Sequence, residues 1–140
     1  MRLKTTAFAL AILASLCTTS LAGLKTFKTG SNGLLDFDTP SLNFCCTYAS
    51  QAGGGPVLSC ARVAPEYWIV TLKPAGNMSV NKSPAEMPGC GFGKSAGNVL
   101  GYGDSWRMQG ITCNSDREGL SCVVGRTGFI LSRKGLKELP

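Results

Sequence analysis

The residues in this sequence with the most chemistry to offer are its seven cysteines. Six of them, Cys45, Cys46, Cys60, Cys90, Cys113 and Cys122, lie beyond a leader with the layout of an export signal. An even number of cysteines in an oxidising compartment reads as three disulfides. Zinc is the competing use of thiols, but it needs Cys or His in short, regular spacings. The chain has no His and no CxxC pair, so neither a metal nor a cofactor is expected.

The missing His also removes Ser-His and Cys-His catalytic pairs and imidazole acid-base catalysis. Carboxylates remain. Asp36 and Asp38 lie two apart on one face of a predicted strand, where they could work as an acid-base pair or bind a cation, although a solvated strand face is the plainer reading. Glu66, Glu86 and Asp104 complete the set that a small carboxylate-dependent hydrolase would draw on. Pro88-Gly89-Cys90-Gly91-Phe92-Gly93-Lys94-Ser95 imitates a phosphate loop, but Pro88 stands where the motif needs Gly and no strand-loop-helix context surrounds it. Gly103-Asp104-Ser105-Trp106-Arg107 puts a Ser on a turn without the closing Gly of a nucleophile elbow. Asn77-Met78-Ser79 and Asn81-Lys82-Ser83 satisfy the N-glycosylation pattern and mark an exposed segment. Tyr67, Trp68, Tyr102 and Trp106, with Arg62 and Arg107, could line an aromatic, basic groove for a glycan or a peptide. Partly buried strand positions are the plainer reading of those six.

Local sequence prunes the disulfide pairings. In ITCNSDREGLSCVV two β-prone runs flank Asp116-Arg117-Glu118-Gly119, with Asp first and Gly fourth as in a type I turn. Folding about that turn sets Cys113 opposite Cys122. Adjacent Cys45 and Cys46 stand only ~3.8 Å apart at Cα, too close for an unstrained bridge to each other. Successive strand residues face opposite ways, so the two reach different partners. The preferred assignment is Cys46 with Cys60 across the next hairpin and Cys45 with Cys90; the exchange of 45 and 46 stays open.

These residues need a scaffold to hold them, and the chain punctuates itself as an all-β one. Short apolar runs alternate with Gly, Pro, Asn and Ser clusters, which predicts strands over 34–38, 42–48, 57–63, 67–72, 98–100, 106–114, 119–124 and 128–133. Gly53-Gly54-Gly55-Pro56 is a loop. Residues 74–97 read as one long loop pinned by Cys90, and the tail SRKGLKEL as at most a single helical turn. No repeat is visible. The expected fold is a small, disulfide-stapled antiparallel sheet, a sandwich or an open barrel, with long Gly/Pro-rich loops.

Arg2 and Lys4, then AFALAILASLC, then small residues up to Ala22 form the three parts of a signal peptide. Cleavage after Ala22 is expected, with Cys17 discarded and unlipidated because Leu16 precedes it. Residues 23–140 then form one domain, periplasmic or extracellular, with no transmembrane segment. Losing Arg2 and Lys4 lowers the 14 basic residues to 12 against 8 acidic ones, a net charge of +4. That modest excess favours anionic partners but not nucleic acid in particular.

The stretches Val99-Leu100-Gly101-Tyr102-Gly103-Asp104-Ser105-Trp106, Gly110-Ile111-Thr112-Cys113, Gly119-Leu120-Ser121-Cys122 and Gly128-Phe129-Ile130-Leu131-Ser132-Arg133 resemble a family of small secreted bacterial cysteine-containing proteins of unassigned function. Phe37-Asp38-Thr39-Pro40-Ser41 is similar to that family's opening segment. The adjacent cysteines depart from it, as does the lack of a Cys-x-x-Asp-Trp-Gly-like middle segment. The resemblance implies a bacterial, exported, disulfide-bonded β domain and assigns no catalytic residue. The expected function is a non-enzymatic binding module of the cell envelope that contacts an anionic polymer or a protein, in the manner of an inhibitor or immunity protein. The alternatives are the carboxylate-dependent hydrolase and a structural or accessory secreted protein.

Overall fold

The computed structural model describes residues 23–50, 53–87, 89–91 and 97–140. The expected signal peptide lies outside the described residues, as do most of the residues of the phosphate-loop imitation. Eleven strands form two sheets, with no helix among the described residues. One sheet is a five-stranded antiparallel meander of β2 (Leu34–Asp38), β3 (Phe44–Ala49), β4 (Val57–Arg62), β5 (Trp68–Leu72) and β6 (Met78–Asn81). The other runs β1 (Leu24–Lys25), β7 (Ser105–Met108), β8 (Ile111–Ser115), β9 (Gly119–Val124), β10 (Thr127–Ser132) and β11 (Gly135–Leu139), with β1 parallel to β7. Neither sheet closes on itself, so the fold is a small disulfide-stapled β-sandwich.

Period-two burial explains the stacking. Along β3 the residues Phe44, Cys46 and Tyr48 are buried while Cys45, Thr47 and Ala49 are half-exposed, and β4 alternates in the same way. Each sheet thus has one apolar face, and pressing the two faces together removes both from water. One cluster draws on both: Phe37, Tyr48, Leu58, Val70 and Leu72 from the first sheet, Trp106, Ile111, Leu120, Phe129 and Leu131 from the second. Phe37 and Trp106 meet with ring centroids 5.2 Å apart, and Tyr48 meets Trp106 edge-on at 5.7 Å.

The disulfides are Cys45–Cys90, Cys46–Cys60 and Cys113–Cys122. Cys46 faces Cys60 across β3 and β4, and Cys113 faces Cys122 across β8 and β9, each pair with Cα atoms 4.1 Å apart. Sulfur atoms of Cys46, Cys60 and Cys122 lie within 4.8 Å of one another, so the two core bridges meet between the sheets.

The sheets repeat one plan, which the sequence does not advertise. In each, a disulfide joins the second and third strands of a meander. Phe37 opposes Cys46 as Trp106 opposes Cys113; Tyr48 opposes Leu58 as Ser115 opposes Leu120; Leu58 opposes Leu72 as Leu120 opposes Leu131. Hairpin lengths differ between the halves, so no fixed period links the two sets.

Four expectations need correction. The run 106–114 is a hairpin, because Gln109 (φ 50°) and Gly110 (φ 81°) form a two-residue turn between β7 and β8. Successive positive φ values match the twist of the flanking strands, and Gln is an uncommon residue there. The segment 98–100 is not a strand: it contributes one parallel bridge, Val99 to Asp38, with Leu100 N–H donating to Asp38 O at 2.8 Å. The segment 74–97 is not all loop, since β6 returns along β5 after a turn in which Gly76 takes φ 90°. The tail forms strand β11, not a helical turn, because pairing with β10 satisfies its backbone groups. Leu42, the first residue of the predicted strand 42–48, lies before β3, has φ 55° and is 51% exposed.

Candidate functional site

The six aromatic and basic residues singled out in the sequence do not share one surface. Trp106 faces inward because it opposes Cys113, and it is 1% exposed in the core. Arg107, one residue on, points outward and donates from Nε to the Thr112 hydroxyl at 3.2 Å. Arg62 is 2% exposed and ties the two sheets together. Its Nη1 donates to Ser132 O at 3.1 Å and its Nε to Glu66 O at 3.2 Å, and its guanidinium lies 3.5 Å from the centre of the Trp68 ring. Burial lowers the Arg62 pKa and the nearby Glu66 carboxylate opposes that shift. Lys82 also lies over Trp68, at 4.7 Å. Arg62 and Trp68 are therefore a structural pair. Tyr102 and Tyr67 each border a different cavity.

The Tyr102 cavity is an open groove of about 350 Å³. Arg117 and Glu118 come from the β8–β9 turn, Arg133 and Lys134 from the β10–β11 turn, and Ser41 from the turn before β3. The Arg117 guanidinium stands 5.3 Å from the Tyr102 ring centre. Asp116 is occupied by its own turn, where one carboxylate oxygen accepts from Glu118 N at 2.7 Å and Gly119 N at 2.9 Å. Three exposed cations thus converge beside an exposed aromatic ring. Sequence reasoning named Tyr102 and missed the cations, because two separate turns supply them.

The Tyr67 cavity, about 160 Å³, opens on the outer face of the five-stranded sheet. Its floor carries Asp36, Asp38, Cys45, Thr47, Ser59, Ala61 and Ile69, and the segment Gly89 to Gly91 borders it, fastened by Cys45–Cys90. Asp38 is 5% exposed and accepts from Gly91 N at 3.1 Å; Thr47 donates to Asp36 through its hydroxyl. Burial raises the phenol pKa of Tyr67. The other three weighed acids are elsewhere. Asp104 pairs with Lys25 at 3.5 Å, and Glu66 and Glu86 are exposed.

Among the described residues two groups of Cys and Asp are close enough to surround a metal ion: Cys46, Cys60 and Cys122, and Asp38, Cys45 and Cys90. Every cysteine in them is disulfide-bonded and has no thiolate to offer, so neither group is a metal centre. Comparison with protein-family models, with curated proteins and with solved structures gives no match.

Proposed function

We propose that the protein is an exported, non-enzymatic binding module of the bacterial cell envelope or exterior whose groove beside Tyr102 holds an anionic polymer. The observation that carries this reading is the convergence of Arg117, Arg133 and Lys134 on one open groove next to an aromatic ring. Three disulfides suit an oxidising compartment, and no helix among the described residues is long and apolar enough to cross a membrane. Exposed cations attract an anion over roughly 10 Å at 0.1 M salt, and the attraction weakens as salt rises. An aromatic face beside them adds a contact that salt does not screen.

The experiment is retention of the folded protein on cell-envelope fractions at low and high salt, alongside the variant Arg117→Glu, Arg133→Glu, Lys134→Glu. Salt-sensitive retention that the variant loses supports the reading. Retention that neither salt nor charge reversal alters points instead to a protein partner of the inhibitor or immunity kind, and no retention at either salt overturns both. The hydrolase reading keeps one supporting observation, that Asp36 and Asp38 line the same cavity. Turnover of envelope material that Asp38→Asn abolishes would establish it.

A further inference from the structure

The outer face of the five-stranded sheet is patterned in a way the anion groove does not use. Strand register places Asp36, Thr47, Ser59, Thr71 and Ser79 side by side, one per strand, in an unbroken row across the whole sheet. Every member is a hydroxyl except the carboxylate at the end. The Thr47 hydroxyl bonds to Asp36, and the Thr71 and Ser79 hydroxyls bond to each other. Two residues along each strand runs a parallel row of Asp38, Cys45, Ala61, Ile69 and Asn81, whose middle is apolar. A polar track and an apolar track thus lie next to each other, each beginning in a carboxylate. At strand spacings of ~4.8 Å, five strands make a track about 19 Å long.

The cavity sits at the acidic end of both tracks. Its volume of about 160 Å³ is close to the ~150 Å³ that accommodates one benzene ring, so it admits one six-membered ring. Such a ring would have hydroxyl and carboxylate acceptors along one edge, Ala61 and Ile69 beneath one face, and Tyr67 at the wall. Among the described residues no Lys or Arg lines it, and the two carboxylates there disfavour an anionic guest.

We propose that this face is a second binding site, for a neutral or amino-bearing glycan, with one pyranose unit seated in the cavity and the following units laid along the hydroxyl row. A pyranose presents hydroxyl donors on its rim and C–H groups on its faces, which matches a polar track beside an apolar one. Carboxylates accept from sugar hydroxyls, or from the ammonium of an amino sugar, through charge-assisted hydrogen bonds. The Cys45–Cys90 bridge holds the bordering segment in place before the ligand arrives, which lowers the ordering cost of binding. The site is separate in position and opposite in charge preference from the Tyr102 groove, so either can exist without the other.

The test is calorimetric titration of the folded, disulfide-intact protein with three oligosaccharides of equal length. These are an N-acetylated chitin oligomer (neutral), its deacetylated counterpart (cationic) and an oligogalacturonate (anionic). Saturable binding of the neutral or the cationic oligomer is expected. It should persist at high salt for the neutral one and in the Arg117→Glu, Arg133→Glu, Lys134→Glu variant for both. Ala61→Phe, which fills the floor from an outward strand position, should weaken it at least tenfold. Thr47→Val removes one hydroxyl from the row with little change of shape and should weaken it about threefold to tenfold. Binding of the anionic oligomer alone, binding indifferent to both variants in their folded form, or no binding to any of the three would overturn the proposal.

Discussion

Tyr48→Phe offers the sharpest check on the energetics of this fold. Tyr48 is 3% exposed, and its hydroxyl has no hydrogen-bond partner among the described residues. A buried donor left unmatched costs about 1–3 kcal/mol in lost hydration. The substitution deletes that group and keeps the ring, including its edge-on contact with Trp106 at 5.7 Å. Stability should therefore rise by about 1 kcal/mol, which for a domain of this size is an increase of about 3–6 °C in Tm. Urea unfolding followed by far-UV circular dichroism measures the change, with an unaltered m value indicating that the native state alone is affected.

The same variant carries a pH signature. Burial raises the Tyr48 phenol above its ordinary value of 10.0, so the folded chain keeps a proton that the unfolded chain releases near pH 10. Where the native state binds more protons, stability falls as pH rises. Tyr48 thus contributes stability that is fully present below about pH 10 and is lost as pH climbs through the raised folded value. Tyr67 shifts the same way for the same cause. Tyr48→Phe should shrink the alkaline loss without abolishing it, and Tyr48→Phe with Tyr67→Phe should flatten it further. A Tyr48→Phe protein that is less stable than the parent at pH 7, with an unchanged alkaline limb, would refute the reasoning by showing that the hydroxyl has a partner.

Two further changes test how the sheets and the segment at Gly23 are held. Arg62→Ala leaves Ser132 O and Glu66 O without their cationic donor and should cost about 3–6 kcal/mol in urea unfolding, since each of the two bonds contributes roughly 1.5–3 kcal/mol. Gly23 N lies 3.3 Å from an Asp104 carboxylate oxygen. In a chain beginning at Gly23 that nitrogen is an ammonium, so Asp104→Asn should cost about 1 kcal/mol more there than in a chain carrying extra residues before Gly23, measured as a difference in unfolding midpoint.

The groove and the sugar-shaped face ask different things of the molecule. The groove is assembled from turns, where charged side chains reach into water and their attraction depends on salt. The outer face is part of a sheet, and its register is fixed by the core on the other side. A one-residue slip of β4 would bury Ser59 and expose Cys60, breaking the bridge to Cys46. The core disulfide therefore also fixes the alignment of the hydroxyl row.

Much of this could be read from the residues themselves. Alternation in FCCTYA and VLSCAR sets which side of each strand is buried, and adjacency alone sends Cys45 and Cys46 to opposite faces. The Asp116-Arg117-Glu118-Gly119 turn places Cys113 opposite Cys122, because a tight hairpin fixes the register of its strands. These are local relations, decided within a dozen residues by backbone geometry. Tertiary structure decided what depends on distant chain segments. Trp106 could be read as a groove aromatic or as a partly buried strand residue, and it is fully core because two sheets close over it. The tail became β11 because β10 had an unpaired edge to offer it. The row from Asp36 to Ser79 exists only once five strands lie side by side, and the cations around Tyr102 meet only when two remote turns come together. No window of sequence contains those neighbours, so only the folded chain brings them into contact.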